Sequence, residues 1–325
     1  MDRLCPPEHT LERFRADATA LGLDGTFAVA VSGGPDSLAL LLLAAGSFRG
    51  RVEATTVDHG LRAASADEAA FVAGICRALG VPHEILPANV DIARASRQRA
   101  AREARYAAID GWMARRSLRT IATAHHVEDQ AETLLMRLLR GSGVGGLAGV
   151  RRCSPLPVHG SSRLVIRPLL GWRRDELRAI IDEAGITPVD DPSNRDPAFD
   201  RVRVRQQLAE TSWLGSDALA ASASALADAD DALAWATRNL WSERVRSISG
   251  KLEFDPEGIP AELRRRILLR ILDELGEATS TPRGDEIGRL LESLADGRTG
   301  TLAGVQCTGG EVWLFGRAPA RRRSR

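Results

Sequence analysis

The sequence contains few cysteines, almost no lysine and no long apolar run. Its cysteines are widely spaced and include no C-x-x-C pair: Cys5, Cys76, Cys153 and Cys307. This spacing argues against a zinc site, an iron–sulfur site or a disulfide framework. The longest apolar run, residues 38–46, is too short to cross a bilayer. The prolines after Cys5 interrupt any signal-peptide pattern. We therefore expect a cytoplasmic protein that does not interact with a membrane.

Almost all basic residues of the chain are arginines. Of 44 basic residues only Lys251 is a lysine, and 43 acidic residues leave a formal net charge of +1. This balance gives no indication of nucleic acid, and codon bias explains the arginines better than a need for guanidinium chemistry does. With 325 residues, of which 44% are hydrophobic, the chain is long enough for two globular domains.

A glycine-rich turn lies between an apolar run at residues 27–31, typical of a buried strand, and strong helix formers at 38–45. The turn consists of Ser32, Gly33, Gly34, Pro35, Asp36 and Ser37. Unpaired N–H groups at a helix N-terminus, serine hydroxyls and glycine backbone suit a phosphate. Because a carboxylate repels a phosphate, Asp36 indicates a divalent cation between the two. The turn predicts a site for a metal-bound nucleotide; the alternative is a turn that only packs.

Strands and helices alternate through the first half of the chain. This order predicts an α/β fold with a doubly wound, mostly parallel sheet of five strands. Ligands of such sheets bind beyond the carboxyl ends of the strands. We therefore expect the turn at 32–37, the pair Asp58 and His59, and residues 124–126 to surround one crevice.

Three side chains share one face of the helix that follows the fourth predicted strand. They are His125, Asp129 and Glu132, spaced i, i+4 and i+7. Two carboxylates and an imidazole could hold Mg²⁺ through waters, or bind a substrate ammonium group. The alternative is a helix cap, since acidic residues favour a first turn. A zinc helix is set aside because H-E-x-x-H is absent.

The composition shifts near residues 211–216. We expect a catalytic domain at 1–215 and a smaller, mainly helical domain at 216–325 that ends in a short hairpin over 299–315. Residues 321–325 form a basic tail.

Several motifs occur in an order and spacing that resemble the tRNA(Ile)-lysidine synthetases, a family of ATP pyrophosphatases, or PP-loop enzymes. The resemblance covers about residues 25–207. It is carried by residues 32–37, 57–62, 101–106, 125–133, 140–143, 146–147, 167–170, 191–194, Arg201 and Arg205. Two positions depart from the family pattern: Glu128 replaces a usual aspartate, and Val202 replaces a usual asparagine.

The resemblance implies a ligase that uses ATP and Mg²⁺ to join free L-lysine to an isoleucine tRNA with a CAU anticodon. The C2 carbonyl oxygen of the wobble cytidine, position 34, is adenylated and pyrophosphate is released. The lysine ε-amine then attacks C2, and lysidine and AMP are formed. The alternatives are another adenylating tRNA-modifying enzyme of the superfamily, or a non-catalytic nucleotide- or RNA-binding protein on the same fold. The sequence leaves open whether the protein forms a homodimer.

The resemblance also implies roles for individual residues. The catalytic residues would be Asp36, Asp129, Glu132 and Arg205. ATP would be bound by Ser32, Gly33, Gly34, Pro35, Asp36, Ser37, Asp58, His59, Arg105 and His125. The tRNA or its target base would be contacted by Arg102, Asn194 and Arg201. Mg²⁺ would be bound by Asp36 and Asp129, and the C-terminal domain would support tRNA binding.

Overall fold

The computed structural model describes residues 4–58, 65–88, 97–190, 196, 198, 200–211, 213–276 and 282–318, without the side chains of 97–99. The chain divides into two compact units, Met1–Ala227 and Asp228–Arg325. The division falls inside a long helix that begins at Ser216. The assignment of two domains with a boundary at 215/216 remains a prediction.

The first unit consists of strands and helices that alternate along the chain. Its strands are β1 (Phe27–Ala30), β2 (Val52–Asp58), β3 (His83–Pro87), β4 (Thr120–Ala122), β5 (Cys153–Pro155) and β6 (Leu164–Ile166). Its helices are α1 (Glu8–Thr19), α2 (Pro35–Ser47), α3 (Ser65–Leu79), α4 (Arg97–Arg115), α5 (Val127–Leu138), α6 (Val144–Leu147), α7 (Arg174–Glu183), α8 (Asp200–Glu210) and the beginning of α9 (Ser216–Arg244).

The strands of the first unit form one sheet in the order β3-β2-β1-β4-β6-β5. All pairs are parallel except β5 with β6. The prediction of a doubly wound, mostly parallel sheet is confirmed, but the sheet has six strands instead of five. The missed strand, β5, has only three residues and no buried side chain, so it lacks the apolar pattern by which strands are found. The strand order reverses between β1 and β4, where such folds bind ligands.

Two apolar layers cover the two faces of this sheet. Successive residues of a strand point to opposite faces, and β1 shows this directly. Val29 packs with the fully buried leucines of α2, whereas Ala28 packs with Tyr106 and Trp112 of α4. Helix α2 and helix α4 therefore lie on opposite faces, and the turn at 32–37 leads from the sheet edge to the α2 face.

The second unit contains more β-structure than we predicted. Besides the end of α9, α10 (Ala261–Leu275) and α11 (Gly284–Ala295), it has β7 (Val245–Ile248), β8 (Lys251–Phe254), β9 (Thr299–Leu302), β10 (Val305–Thr308) and β11 (Trp313–Arg317). These strands form an antiparallel sheet in the order β7-β8-β11-β10-β9.

The prediction of a mainly helical unit with a single terminal hairpin was therefore incomplete. The turns that define the extra strands have positive φ at Ser249 and Gly250, and at Ala303 and Gly304. Neither pair is one of the strongest hairpin signals, Asn-Gly or Asp-Gly. The basic tail at 321–325 lies outside the described residues. None of the helices in the described part of the chain is long and apolar enough to cross a membrane.

Candidate active site at the switch point of the sheet

The turn after β1 is closed by its own serines. The backbone N–H of Ser32 donates to Ser37 Oγ at 3.1 Å, and Ser37 Oγ donates to the carbonyl of Gly34 at 2.9 Å. Gly33 has φ +87°, and a Cβ there would lie 2.9 Å from Cγ2 of Val189. A side chain at position 33 would therefore strain the backbone and clash. The turn leaves the first N–H groups of α2 at the sheet edge, where they suit an anion.

Asp36 follows this turn and has one unsatisfied oxygen. Its Oδ1 is buried and has no hydrogen-bond partner among the described residues, while its Oδ2 lies 3.5 Å from Nε2 of His126. A buried carboxylate oxygen without a donor is unfavourable. Mg²⁺ typically takes one or two protein carboxylates together with substrate phosphates and waters. Asp36 therefore fits a Mg²⁺ ion that accompanies a phosphate on the turn.

His126, the residue before α5, joins the turn to the acidic first turn of that helix. The ring is 1% exposed. Its Nδ1 lies 2.8 Å from Glu128 Oε2, and its Nε2 lies 3.5 Å from an oxygen of Asp36 and 3.5 Å from Asp129 Oδ2. Burial alone would lower the pKa of His126, but the hydrogen bonds to Asp36 and Glu128 and the charge of Asp129 outweigh it and raise the pKa to about 9.

His126 is thus a cation that faces three carboxylates. We expected His126 to lie near the site but assigned it no chemical role, although one signal was available. It occupies the N-cap of α5, and Asp129 is the third residue of that helix, the spacing of a capping pair.

Glu132 does not face open space. It is 1% exposed and is surrounded by three guanidinium groups. Arg201 Nε donates to its Oε2 at 2.6 Å, and Arg205 Nε donates to its Oε1 at 2.7 Å. Arg174 Nη2 lies 3.5 Å from the same Oε1. The carboxylate therefore fixes α8, which carries Arg201 and Arg205, against α5. Arg174 was not among the site residues predicted from the sequence.

Both oxygens of Asp129 also have protein donors. Oδ1 accepts from Arg201 Nη2 at 2.8 Å, and Oδ2 accepts from the backbone N–H of His126 at 3.0 Å. The second contact is the helix cap that was considered as an alternative. Asp129 thus acts as a cap while it also pairs with Arg201. Since its oxygens are occupied, it fits a metal ion less well than Asp36 does.

Three further predicted residues, His125, Arg102 and Arg105, lie after β4 or on α4. His125 follows β4, and its Nδ1 lies 3.0 Å from Thr123 Oγ1. Burial and the charges of nearby arginines lower the pKa of His125 to about 4, against the opposing effect of Asp129. The imidazole is therefore neutral. On α4, the Arg102 guanidinium lies 5.0 Å above the ring of Tyr106, and the side chain of Arg105 is exposed.

The structure thus brings the predicted carboxylates into one cluster of side chains. His126 contacts Asp36 and Asp129, while Arg201 contacts Asp129 and Glu132. Asp58 is the last residue of β2, the strand beside β1. His59 and Asn194, predicted to bind ATP and the tRNA, lie outside the described residues.

Comparison with known proteins identifies the family. A family model described as a PP-loop domain matches residues 8–212. The tRNA(Ile)-lysidine synthase of Novosphingobium aromaticivorans is 48% identical over 96% of this chain and 95% of its own length. That of Zymomonas mobilis is 42% identical over 93% of this chain and 91% of its own length. The chain belongs to the tRNA(Ile)-lysidine synthase family.

A solved structure supports the fold of this lysidine synthase family member. The U34-tRNA thiolase NcsA from Methanococcus maripaludis, solved with its 4Fe–4S cluster, aligns with a TM-score of 0.56 and 16% identity, over 68% of this chain and 78% of the thiolase. At this identity the likeness concerns the fold alone. The four cysteines of the present chain are free, and Cys76 and Cys307 are buried.

Proposed function

We propose that this protein joins L-lysine to C2 of the wobble cytidine of an isoleucine tRNA with a CAU anticodon, at the expense of ATP. Membership of the lysidine synthase family makes it a carbon–nitrogen ligase that uses ATP and tRNA(Ile). The observation that carries the finer proposal is the unsatisfied Asp36 Oδ1 at the phosphate-binding turn. Through His126 this aspartate is held beside the charged groups of α5 and α8.

The turn at 32–37 would bind the ATP phosphates. The α2 N-terminus and the serine hydroxyls supply donors, and Asp36 would hold Mg²⁺. When bound, Mg²⁺ would neutralise phosphate charge while pyrophosphate departs. His126 keeps the Asp36 carboxylate in place from the protein side. The cytosine O2 would then attack the α-phosphorus, which gives the adenylated base and pyrophosphate.

The second half of the reaction needs a lysine whose ε-amine is neutral at the moment of attack. Asp129 and Glu132 are carboxylates on one face of α5 that could bind an ammonium group, and both pair with Arg201. We propose that the lysine ammonium takes the place of the Arg201 guanidinium between them. A carboxylate there would accept the proton as the nitrogen attacks C2. Arg205 would remain on Glu132 and face the phosphate side of the crevice.

The test is incorporation of labelled lysine in the presence of ATP and Mg²⁺. An elongator methionine tRNA is the control because it also has a CAU anticodon. The expected result is label in the isoleucine tRNA alone, with one AMP and one pyrophosphate for each lysine. Asp36→Asn should abolish both label and pyrophosphate release. If tRNA-dependent ATP turnover left both tRNAs unlabelled, the protein would be a different adenylating enzyme.

A further inference from the structure

Arg167 is a buried cation whose role the catalytic cluster does not explain. It follows β6 and is 7% exposed. Its Nη1 donates to the carbonyl of Arg151 at 2.7 Å and to Ser154 Oγ at 3.1 Å. Its Nε is buried and has no partner, and no carboxylate of the described residues pairs with it. A buried charge is costly unless an opposite charge or sufficient hydrogen bonds compensate it. The missing partner of Arg167 is therefore an anion.

The position of Arg167 shows where that anion would lie. Val165, two residues earlier and thus on the same face of the strand, packs in one cluster with Tyr106. Arg102 lies over the ring of Tyr106. Arg167 and Arg102 therefore approach the carboxyl edge of the sheet from the α4 face. Burial lowers the pKa of Arg167; Tyr106 opposes this shift, and the charge of Arg102 adds to it, as expected for two cations that share one small region.

This region is separate from the turn that would bind the ATP phosphates. The turn leads into α2, which covers the opposite face of the sheet. In addition, β6 is two strands away from β1, a distance of roughly 10 Å at the usual strand spacing. One triphosphate on the turn would leave Arg167 unpaired. The second substrate, a tRNA, carries a phosphate at every nucleotide.

We propose that Arg167, together with Arg102, binds a backbone phosphate of the tRNA beside the nucleotide that reacts. The proposal rests on the proposed function and adds a residue to it. The Nε and the outer nitrogens of a guanidinium can bind one phosphate in a forked geometry. The alternative is that Arg167 only ties β6 to β5 through Nη1. That role accounts for the two bonds of Nη1 but leaves Nε buried without a partner.

The test compares Arg167→Gln with the unmodified enzyme in tRNA binding at a series of KCl concentrations. Removal of one phosphate contact to a single strand should reduce the slope of log K against log salt by about 0.7. The affinity for tRNA should fall about tenfold, the usual effect of a charge-assisted hydrogen bond. The KM for ATP should stay within about twofold, because the turn that would bind the ATP phosphates leads to the other face of the sheet.

Two variants serve as controls. Arg51→Gln removes the same charge from an exposed side chain just before β2, at the amino ends of the parallel strands. It should leave the salt slope unchanged. Ser154→Ala removes one of the two structural contacts of Arg167 but keeps the guanidinium. It should lower the melting temperature without changing the salt slope. If Ser154→Ala weakened tRNA binding as much as Arg167→Gln did, the role of Arg167 would be structural.

Other outcomes also decide the question. A raised KM for ATP with an unchanged salt slope would place an ATP phosphate at Arg167 and overturn the assignment to tRNA. If Arg167→Gln did not fold, Arg167→Lys would take its place. This variant should bind tRNA several-fold more weakly than the unmodified enzyme, because it lacks the buried Nε donor. An unchanged affinity would refute the proposal. If the unmodified enzyme formed lysidine while Arg167→Gln behaved identically, this proposal alone would fail. If the unmodified enzyme formed none, the proposed function itself would fail.

Discussion

Replacement of Glu132 by glutamine is the most informative perturbation of the site. The change keeps the size of the side chain but removes the charge that three guanidinium groups surround. Loss of one partner from a fully buried ion pair costs about 3–5 kcal/mol. The side chains of Arg201, Arg205 and Arg174 are 40%, 35% and 31% exposed, so water screens part of their charge. We expect a loss of about 2 kcal/mol in the free energy of unfolding.

The assay is urea unfolding followed by tryptophan fluorescence, together with lysine incorporation. A loss of about 2 kcal/mol corresponds to a fall of roughly 4–8 °C in melting temperature for a unit of this size. Activity should also fall, because α8 and its arginines would no longer be fixed against α5. Glu84→Gln is a matched control: Glu84 pairs with Arg115 at 2.7 Å, but both side chains are largely exposed. It should change stability by less than about 1 kcal/mol.

A double-mutant cycle with Arg205→Gln shows whether Glu132 positions the arginines of α8 in addition to its proposed contact with lysine. If Glu132 acts through the guanidiniums, the two changes should be strongly non-additive, with a coupling energy of about 1–3 kcal/mol. Purely additive effects would refute this reasoning. An E132Q enzyme of undiminished stability would refute it as well, because the three guanidinium groups would then not depend on the charge of Glu132.

Three further predictions concern the turn and the histidines. Asp36→Asn should reduce pyrophosphate release at least about 100-fold. Its effect on the urea midpoint should be smaller than that of Glu132→Gln, because Oδ1 accepts no hydrogen bond and only the 3.5 Å contact of Oδ2 with His126 is weakened. An active variant would exclude Asp36 as metal ligand. Gly33→Ala should cost about 1–3 kcal/mol of stability in urea unfolding. Gly34→Ala should cost much less, because Gly34 has φ −73° and a Cβ added there would meet no atom closer than 3.8 Å. Equal losses in the two variants would contradict the backbone strain inferred at position 33. The pKa of His126 is raised to about 9, so the protonated imidazole stabilises the folded state by at most about 3 kcal/mol. This contribution is fully present below pH 6.5 and is lost as the pH rises through 9. His126→Gln should therefore flatten the alkaline side of the profile of unfolding free energy against pH. The acid side should not change, because it depends on His125, which has a pKa of about 4 in the folded protein and takes up a proton on unfolding.

The parts of the site that follow from local sequence were predictable. The turn at 32–37 lies between a strand and a helix whose residues are contiguous, so spacing and composition were enough to locate it. The shared face of Asp129 and Glu132 follows from helical periodicity. The place of both beside the turn follows from the rule that parallel strands end at one edge.

The partners of these residues could not be predicted in the same way. Arg201 is 69 residues away from Glu132 in the chain, and no periodicity connects α8 with α5. We expected Arg201 to contact the tRNA, which remains a prediction; in the structure it pairs with Asp129 and Glu132. That role was implied by the family resemblance, which carries no information about the intramolecular partners of Arg201.

Unsatisfied buried groups add information that neither motifs nor spacing contain. Among the described residues of the first unit, two buried side-chain atoms lack a hydrogen-bond partner, Asp36 Oδ1 and Arg167 Nε. One belongs to an anion and the other to a cation, and they lie on opposite faces of the sheet on either side of β4. Most buried polar groups in folded proteins are satisfied, so each orphan indicates a missing ligand of opposite charge. A metal-bound triphosphate at Asp36 and a nucleotide phosphate at Arg167 would satisfy both, with the reacting base between them, beyond the end of β4.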